Sequence, residues 1–299
     1  MEKEMEIMYN RRIMAERKTQ PADVAKMEET LDLIDISLYD LLVKRAEIVG
    51  RIGAIRPPSI LEDMRALAES VRKITSARRY DADALNVAAG IIELAGWRGR
   101  NITVATAKGH ESAGANPRDF HSLFADISYK TFAKLTDAAA FAGASADAIA
   151  MVPAAKTTPK DVWWMPMIAT KGKGAKIIGR APLIGESPES DYIIAQAGDA
   201  WNFDRSVVAL ATSETVAPQW LKSAMHRMDV PLYRAVDSTA IFNGTVLHLV
   251  EISRPVAGAN DGIFKLDGTA AGVNARFAGY LGGYFLPVVE REKIVEFKK

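Results

Sequence analysis

The first quarter of the chain carries its apolar residues at helical spacing. Between Ala22 and Ile55 there is no proline, and Leu31, Ile34, Leu38, Leu41, Leu42, Ile48, Val49 and Ile52 recur at helical intervals. The spacing predicts one helix of about 30 residues, well beyond the usual length of roughly 11–12. A helix that long packs against a partner chain or against several other helices. Pro57 and Pro58 end it, because proline lacks the amide donor and disfavours helix in the residue before it. Ser59 stands where an N-cap is expected for a second helix through about Ser76, whose inner face is Leu61, Met64, Leu67 or Ala68, and Val71. A third helix is expected from about Asp81 to Ala95, closed by Gly96.

The pattern changes at Asn101. Ile102–Ala105 and Ala148–Val152 read as strands, the Ala-rich stretch Phe132–Ala144 as a helix, and Lys176–Ile178 and Tyr192–Ala195 as further strands. Alternating strands and helices predict a small α/β layer. From near Trp201 the order becomes strand (Ser206–Ala211), helix (Pro218–Met228), strand (Tyr233–Asp237) and strand (Thr245–Ile252), with a turn at Asn243-Gly244. That order is the first half of a ferredoxin-like sandwich. A Gly-rich stretch, Gly268–Tyr284, then leads to an expected last strand at Tyr284–Val289. The expected fold class is a multidomain α+β protein. Residues 1–98 form a three-helix domain, 99–199 a small α/β domain and 200–299 a ferredoxin-like α+β domain.

Composition narrows the chemistry. Net charge is +1, with 38 basic residues against 37 acidic ones, which gives no electrostatic reason to expect nucleic acid or an anionic membrane as partner. There is no cysteine, which removes disulfides, thiolate nucleophiles and cysteine-ligated zinc and suits a reducing cytoplasm. No apolar run is long enough to span a membrane, and Met1–Lys18 mixes charges into the stretch a leader would need apolar. The expected location is cytoplasmic. His110, His121, His226 and His248 have no metal-ligand spacing, so neither metal nor cofactor is expected; His110, beside Gly109, is the one histidine kept as a site candidate. Lys171-Gly172-Lys173-Gly174 lacks the spacing of a phosphate loop and reads as a flexible loop. Trp163-Trp164 is expected to pack between the two C-terminal regions.

The segment Leu33-Ile34-Asp35-Ile36-Ser37-Leu38-Tyr39-Asp40-Leu41-Leu42-Val43-Lys44-Arg45 resembles the first helix of the all-helical chorismate mutase family. The Ile-Asp, Leu, Leu-Leu and Arg positions fall in register, and Arg56 stands where the family has a lysine, eleven residues after Arg45. The resemblance implies isomerisation of chorismate to prephenate in aromatic amino-acid biosynthesis, a small-molecule dianion as ligand, and a homodimer built through the long first helix. Such chemistry needs cations. The substrate is folded and its carboxylates clamped by arginines, while donors stabilise charge developing on the ether oxygen.

Carried over residue by residue, the resemblance assigns Arg45 to a carboxylate clamp and Arg56 to the ether oxygen, with Glu62 a looser substrate-binding candidate. The family's early arginine falls on Glu28, and its serine and glutamine fall on Ala95 and Gly99, which have no side-chain donor. The expectation is therefore a mutase with weak or lost activity. The alternative is a non-catalytic dimeric binding or regulatory protein derived from a chorismate mutase–prephenate dehydratase. Thr106-Ala107-Lys108-Gly109-His110-Glu111-Ser112 and Ala146–Pro153 echo prephenate dehydratases. However, Ala154-Ala155-Lys156-Thr157 and Ser190-Asp191-Tyr192 replace that family's signatures. Residues 200–299 resemble an ACT regulatory domain in their order of elements, which adds an aromatic amino acid as a possible ligand.

Overall fold

The computed structural model describes residues 21–55, 59–77, 101–110, 127–155, 157–158, 160–169, 174–181, 190–198, 200–227, 229–241, 245–270 and 273–286. The chain divides into two compact units, residues 1–56 and 57–299. The first unit contains α1 (Pro21–Ile55), one uninterrupted helix of 35 residues. The expected helix at Asp81–Ala95 and the turn at Asn243-Gly244 lie outside the described residues.

The second unit opens with α2 (Ile60–Ala77). Ser59 caps it: the Glu62 amide donates to Ser59 Oγ at 3.4 Å and the Asp63 amide to the Ser59 carbonyl at 3.1 Å. Its buried stripe is Ile60, Met64, Leu67, Ala68 and Val71, the i, i+4, i+7, i+8, i+11 set of one helical face, with Leu61 half-buried beside it. That face packs on the sheet, against Ile102, Val104, Ile149, Met151, Ile178 and Ile193. Arg72 secures it, reaching the Asp204 carboxylate and the Leu286 carbonyl.

The elements that follow are β1 (Ile102–Ala107), β2 (Ile127–Phe132), α3 (Leu135–Ala144), β3 (Ala148–Pro153), α4 (Met165–Ala169), β4 (Ala175–Ala181) and β5 (Asp191–Gln196). Then come β6 (Arg205–Thr212), α5 (Pro218–Arg227), β7 (Leu232–Ala240), β8 (Val246–Ile252), a single 3-10 turn (Gly262–Lys265), β9 (Asp267–Ala270) and β10 (Val273–Tyr284). The ten strands among the described residues form one sheet in the order β2-β1-β3-β5-β4-β10-β6-β8-β7, with β9 on β10. β1 runs parallel to β2 and β3, and β10 meets β4 in parallel at Gly282–Ile177; the other pairs are antiparallel. β10 therefore joins the strands before residue 200 to those after it. Helix α3, Trp163, Trp164 and Met167 cover the sheet face opposite α2. A further cluster is built from Leu221 and Met225 of α5, Val208, Leu210, Val250, Ile252 and Ile263.

β2 and β9 were not expected from the sequence, and β10 departs from expectation. The Gly-rich stretch read as a tail contains β10, the longest strand among the described residues, which ends at Tyr284; residues 287–289 of the expected last strand lie outside the described residues. The glycines of β10 lower strand propensity in the sequence, yet two of them are required by close backbone approach, as a Cβ on Gly282 or Gly283 would meet neighbouring backbone within about 2 Å (2.1 and 2.2 Å).

Candidate functional site

Six side chains from six strands converge on the α3 and Trp163 side of the sheet. Glu251 of β8 is completely buried. Arg234, opposite it on β7, donates Nη2–H to Oε1 at 2.8 Å and Nε–H to Oε2 at 3.2 Å. Such a two-point clamp suits the planar guanidinium. The Tyr192 hydroxyl, from β5, donates to Glu251 Oε1. Between β5 and β8 lie three strands, so in a flat sheet these residues would stand about 19 Å apart, four spacings of about 4.8 Å. Direct contact requires the sheet to be rolled with this face inside. Bulges in β4 and β10 supply the bend.

Tyr284 of β10 stands at the centre, 6.3 Å from the Tyr192 ring. Arg205 of β6 donates to its hydroxyl at 3.4 Å and lies 3.2 Å from the Tyr233 ring centre. Burial, and next the charge of Glu251, pushes both the Tyr192 and the Tyr284 hydroxyls above the ordinary phenol range, so both remain neutral donors. Burial works against the charge on Arg234, but Glu251 outweighs it and holds the guanidinium firmly protonated. Arg180 of β4, opposite Tyr192 in register, completes the set. It is 95% buried (5% exposed), its guanidinium lies 5.8 Å from the Tyr284 ring centre, and its Nε has no hydrogen-bond partner. The six side chains thus hold three guanidiniums against one carboxylate. Trp163 edges onto Tyr192 at 5.9 Å and walls this side.

Trp164 lies beside the same cluster. Its Nε1 donates to Asp237 Oδ2 on β7 at 2.9 Å, and Thr157 Oγ1 donates to the same oxygen at 2.5 Å. The tryptophan pair thus packs between the two C-terminal regions as expected. His110 follows β1, where Gly109 takes the left-handed conformation (φ 79°), and its Nε2 lies 3.1 Å from Oδ1 of the buried Asp191. Asp191 Oδ2 and Ser190 Oγ are buried without hydrogen-bond partners.

The residues singled out from the sequence lie elsewhere. Arg45 is half-buried on α1, in the first unit. Glu62 is exposed in the first turn of α2, in the second unit, where Arg65 pairs with it at 2.9 Å. Arg56 lies outside the described residues, as do Ala95, Gly99 and Lys171–Lys173. Glu28 is exposed on α1. The strand-borne cluster was missed, although charged residues inside apolar runs, such as Glu251 in Val-Leu-His-Leu-Val-Glu-Ile, are a readable signal. Their convergence is not, because it depends on how the sheet rolls. Among the described residues no group of His, Asp and Glu could hold a metal ion, and no helix is long and apolar enough to cross a membrane.

His248 is the second buried titratable group of note. Its Nε2 lies 2.8 Å from Thr212 Oγ1 and its Nδ1 2.8 Å from Ser238 Oγ, so each ring nitrogen faces a hydroxyl that can donate or accept. Burial pushes its pKa down to about 4 from an ordinary 6.5. Between those values the unfolded chain binds the proton and the native one does not. Stability is therefore expected to fall as pH drops from 6.5 to 4, by about 3 kcal/mol from this group, with no further loss from it below 4. Urea midpoints measured across that range should show the slope, and His248→Gln should lack it.

Fold and cluster together define the class: an N-terminal helical region followed by a mixed α/β domain with a multistranded sheet, an α+β architecture. No family model and no curated protein matches the chain. Among solved structures, prephenate dehydratase from Streptococcus mutans aligns at 12% identity and a TM-score of 0.33, covering 61% of this chain and 99% of that one. GqqA, described as a novel type of quorum quenching acylase, aligns at 13% identity and a TM-score of 0.33, covering 50% of this chain and 79% of its own. At those values neither match carries an argument about fold or activity.

Proposed function

We propose that this chain is a non-catalytic dimeric protein that binds a small carboxylate-bearing molecule, derived from a chorismate mutase–prephenate dehydratase. On this reading residues 1–98, 99–199 and 200–299 correspond to the mutase, truncated dehydratase and ACT-like parts of such an ancestor. The observation that carries the binding function is Arg180: its side chain is 95% buried, its Nε has no hydrogen-bond partner, and its guanidinium lies over the Tyr284 ring. A buried cluster of three guanidiniums against one carboxylate is under-compensated, which favours an anion that arrives from outside. Tyr192, Tyr284 and Trp163 supply aromatic surface beside it. The antiparallel order β10-β6-β8-β7, with α5 between β6 and β7, supports the ACT-like part. Loss of catalysis is supported by Glu28, Ala95 and Gly99 at the positions of the family's arginine, serine and glutamine.

Substituting Arg180→Met tests the reading with two opposed effects. Removing an under-compensated charge is expected to raise the stability of the ligand-free protein by roughly 1–3 kcal/mol. The same change should abolish thermal stabilisation by whichever of prephenate, chorismate, phenylalanine and tyrosine raises the melting temperature of the wild type. If none of the four stabilises the wild type, or if Arg180→Met leaves their effect intact, the reading fails.

A second reading, a mutase of low activity, is favoured by Arg45, which keeps the register of the family's carboxylate clamp, and by Arg56 at the position of its lysine. Chorismate consumption, followed by its ultraviolet absorbance, should not exceed the spontaneous rate. Turnover that disappears in Arg45→Ala would instead favour this second reading.

A further inference from the structure

The parallel neighbours β1 and β3 end side by side, at Ala107 and Pro153. β2 follows β1 in the chain and lies on one side of it, whereas the chain leaves β3 for β4 and β5 on the other side. Connections that leave adjacent parallel strands in opposite directions open a gap beyond their carboxyl ends, the switch point at which open α/β sheets take ligands. Two side chains meet there. His110 follows the end of β1, its amide donating to the Ala107 carbonyl at 3.1 Å and its carbonyl accepting from Thr106 Oγ1 at 3.0 Å. Asp191 pairs with Pro153 at the end of β3, and the Ala154 amide donates to the Ser190 carbonyl at 2.8 Å.

The polar groups at this point are incompletely used. Asp191 is only 2% exposed; its Oδ1 lies 3.1 Å from His110 Nε2, and its Oδ2 has no hydrogen-bond partner. A carboxylate only accepts, so Nε2 carries the proton, and in the neutral ring Nδ1 is left as an acceptor. The Ser190 hydroxyl, next in the chain, is also buried (1% exposed) and without a partner. Orphaned buried polar groups are rare, and a charged one is the costliest to leave so. The His110 side chain keeps 26% of its surface exposed, which gives this buried carboxylate a route to solvent.

What the site lacks is a donor that carries positive charge. A hydroxyl would fill the bond to Oδ2 but leave the buried charge in place. One carboxylate and one imidazole fall short of a metal's ligand set, and among the described residues no group of His, Asp and Glu could hold a metal ion. An ammonium supplies both the charge and up to three N–H donors. We propose that this point of the sheet binds a small primary amine, whose ammonium donates to Asp191 Oδ2. His110 holds the carboxylate in place and offers Nδ1 as a second acceptor, and Ser190 offers its hydroxyl. Asp191 shares its face of β5 with Ile193, on the α2 side, whereas Tyr192 and Arg180 face Trp163 on the other. The amine site is therefore separate from the Arg180 cluster and does not rest on the carboxylate-binding reading.

The test is calorimetric titration of the full chain with ethanolamine, putrescine and 2-phenylethylamine, each beside the alcohol of the same shape (ethylene glycol, 1,4-butanediol, 2-phenylethanol). At least one amine should bind and raise the melting temperature, and its alcohol should do neither. Asp191→Asn keeps the shape and removes the charge, so that amine should bind at least about tenfold more weakly. The near-ultraviolet circular dichroism of Trp163 and Trp164 should stay unchanged. If Asp191→Asn loses that native signal, Ser190→Ala decides instead: it removes only an unpartnered hydroxyl, and the amine's affinity should still fall. Binding of none of the amines, equal binding of an amine and its alcohol, or an affinity unchanged by the deciding variant overturns the proposal. Binding of zinc chloride alone, lost in the same variant, would make this a metal site and overturn it too. Arg180→Met should leave the amine's affinity as it is, so the carboxylate reading can fail while the amine site stands, and the reverse.

Discussion

Replacing Gly282 by alanine is expected to cost at least about 4 kcal/mol of stability. Gly282 has φ +114°, a conformation that L side chains rarely adopt. A Cβ there would also stand 2.1 Å from the Ile177 carbonyl oxygen and 2.8 Å from its amide nitrogen, both backbone atoms of the neighbouring strand. Neither can give way as the end of a side chain could. The same residue pairs with Ile177 of β4 on one side and Val207 of β6 on the other, so the strain falls where the two groups of strands meet. Urea unfolding followed by tryptophan fluorescence would measure the loss. Gly50→Ala is the control: it lies within α1 with nothing inside 4 Å of an added Cβ, and should gain about 0.5–1 kcal/mol from helix propensity. A Gly282→Ala variant as stable as the wild type would refute the close approach of β10 to β4.

The second large effect is expected at Glu251. Its carboxylate is fully buried and takes bonds from both nitrogens of the Arg234 clamp and from the Tyr192 hydroxyl. Glu251→Ala leaves the guanidinium without its counter-charge and is expected to destabilise by about 3–5 kcal/mol. The cost comes from the partner left behind more than from the pair itself. Glu251→Leu combined with Arg234→Leu should accordingly be less destabilised than Glu251→Leu alone, with a coupling of about 0.5–3 kcal/mol in a double-mutant cycle. Additive effects of the two single changes would show that the pair does not act as a unit. Tyr192→Phe, which removes one hydrogen bond and keeps the ring, should cost about 1–2 kcal/mol.

The local elements were readable where a pattern is strong and short in range. The long helix, its end before Pro57, the Ser59 cap and the face Met64, Leu67, Ala68, Val71 all follow from spacing within about a dozen residues. So do the strands at Ile102, Ala148 and Tyr192 and the strand–helix–strand–strand run from Arg205. β10 was misplaced because Gly279, Gly282 and Gly283 depress the strand signal, and the reason they are there is contact with Ile168, Ile177 and Arg205, residues far away in the chain. β2, with its half-exposed pattern Ile127–Phe132, has few apolar residues to announce it.

The candidate site divides the same way. Residue types alone drew attention to Arg45, Arg56 and Glu62 through a resemblance confined to helices, and to His110 through its neighbouring glycine. The buried cluster of Arg180, Tyr192, Arg205, Arg234, Glu251 and Tyr284 is spread over more than 100 positions (180 to 284), each on a different strand. By itself the sequence determined that α1 is one long helix with an apolar stripe, because that property is carried by neighbours along a single element. That α2 packs on the sheet, that β10 unites the strands before and after residue 200, and that six polar side chains meet inside a rolled sheet were decided by tertiary structure alone. Strand order and curvature depend on pairings between distant segments, and no local period encodes them.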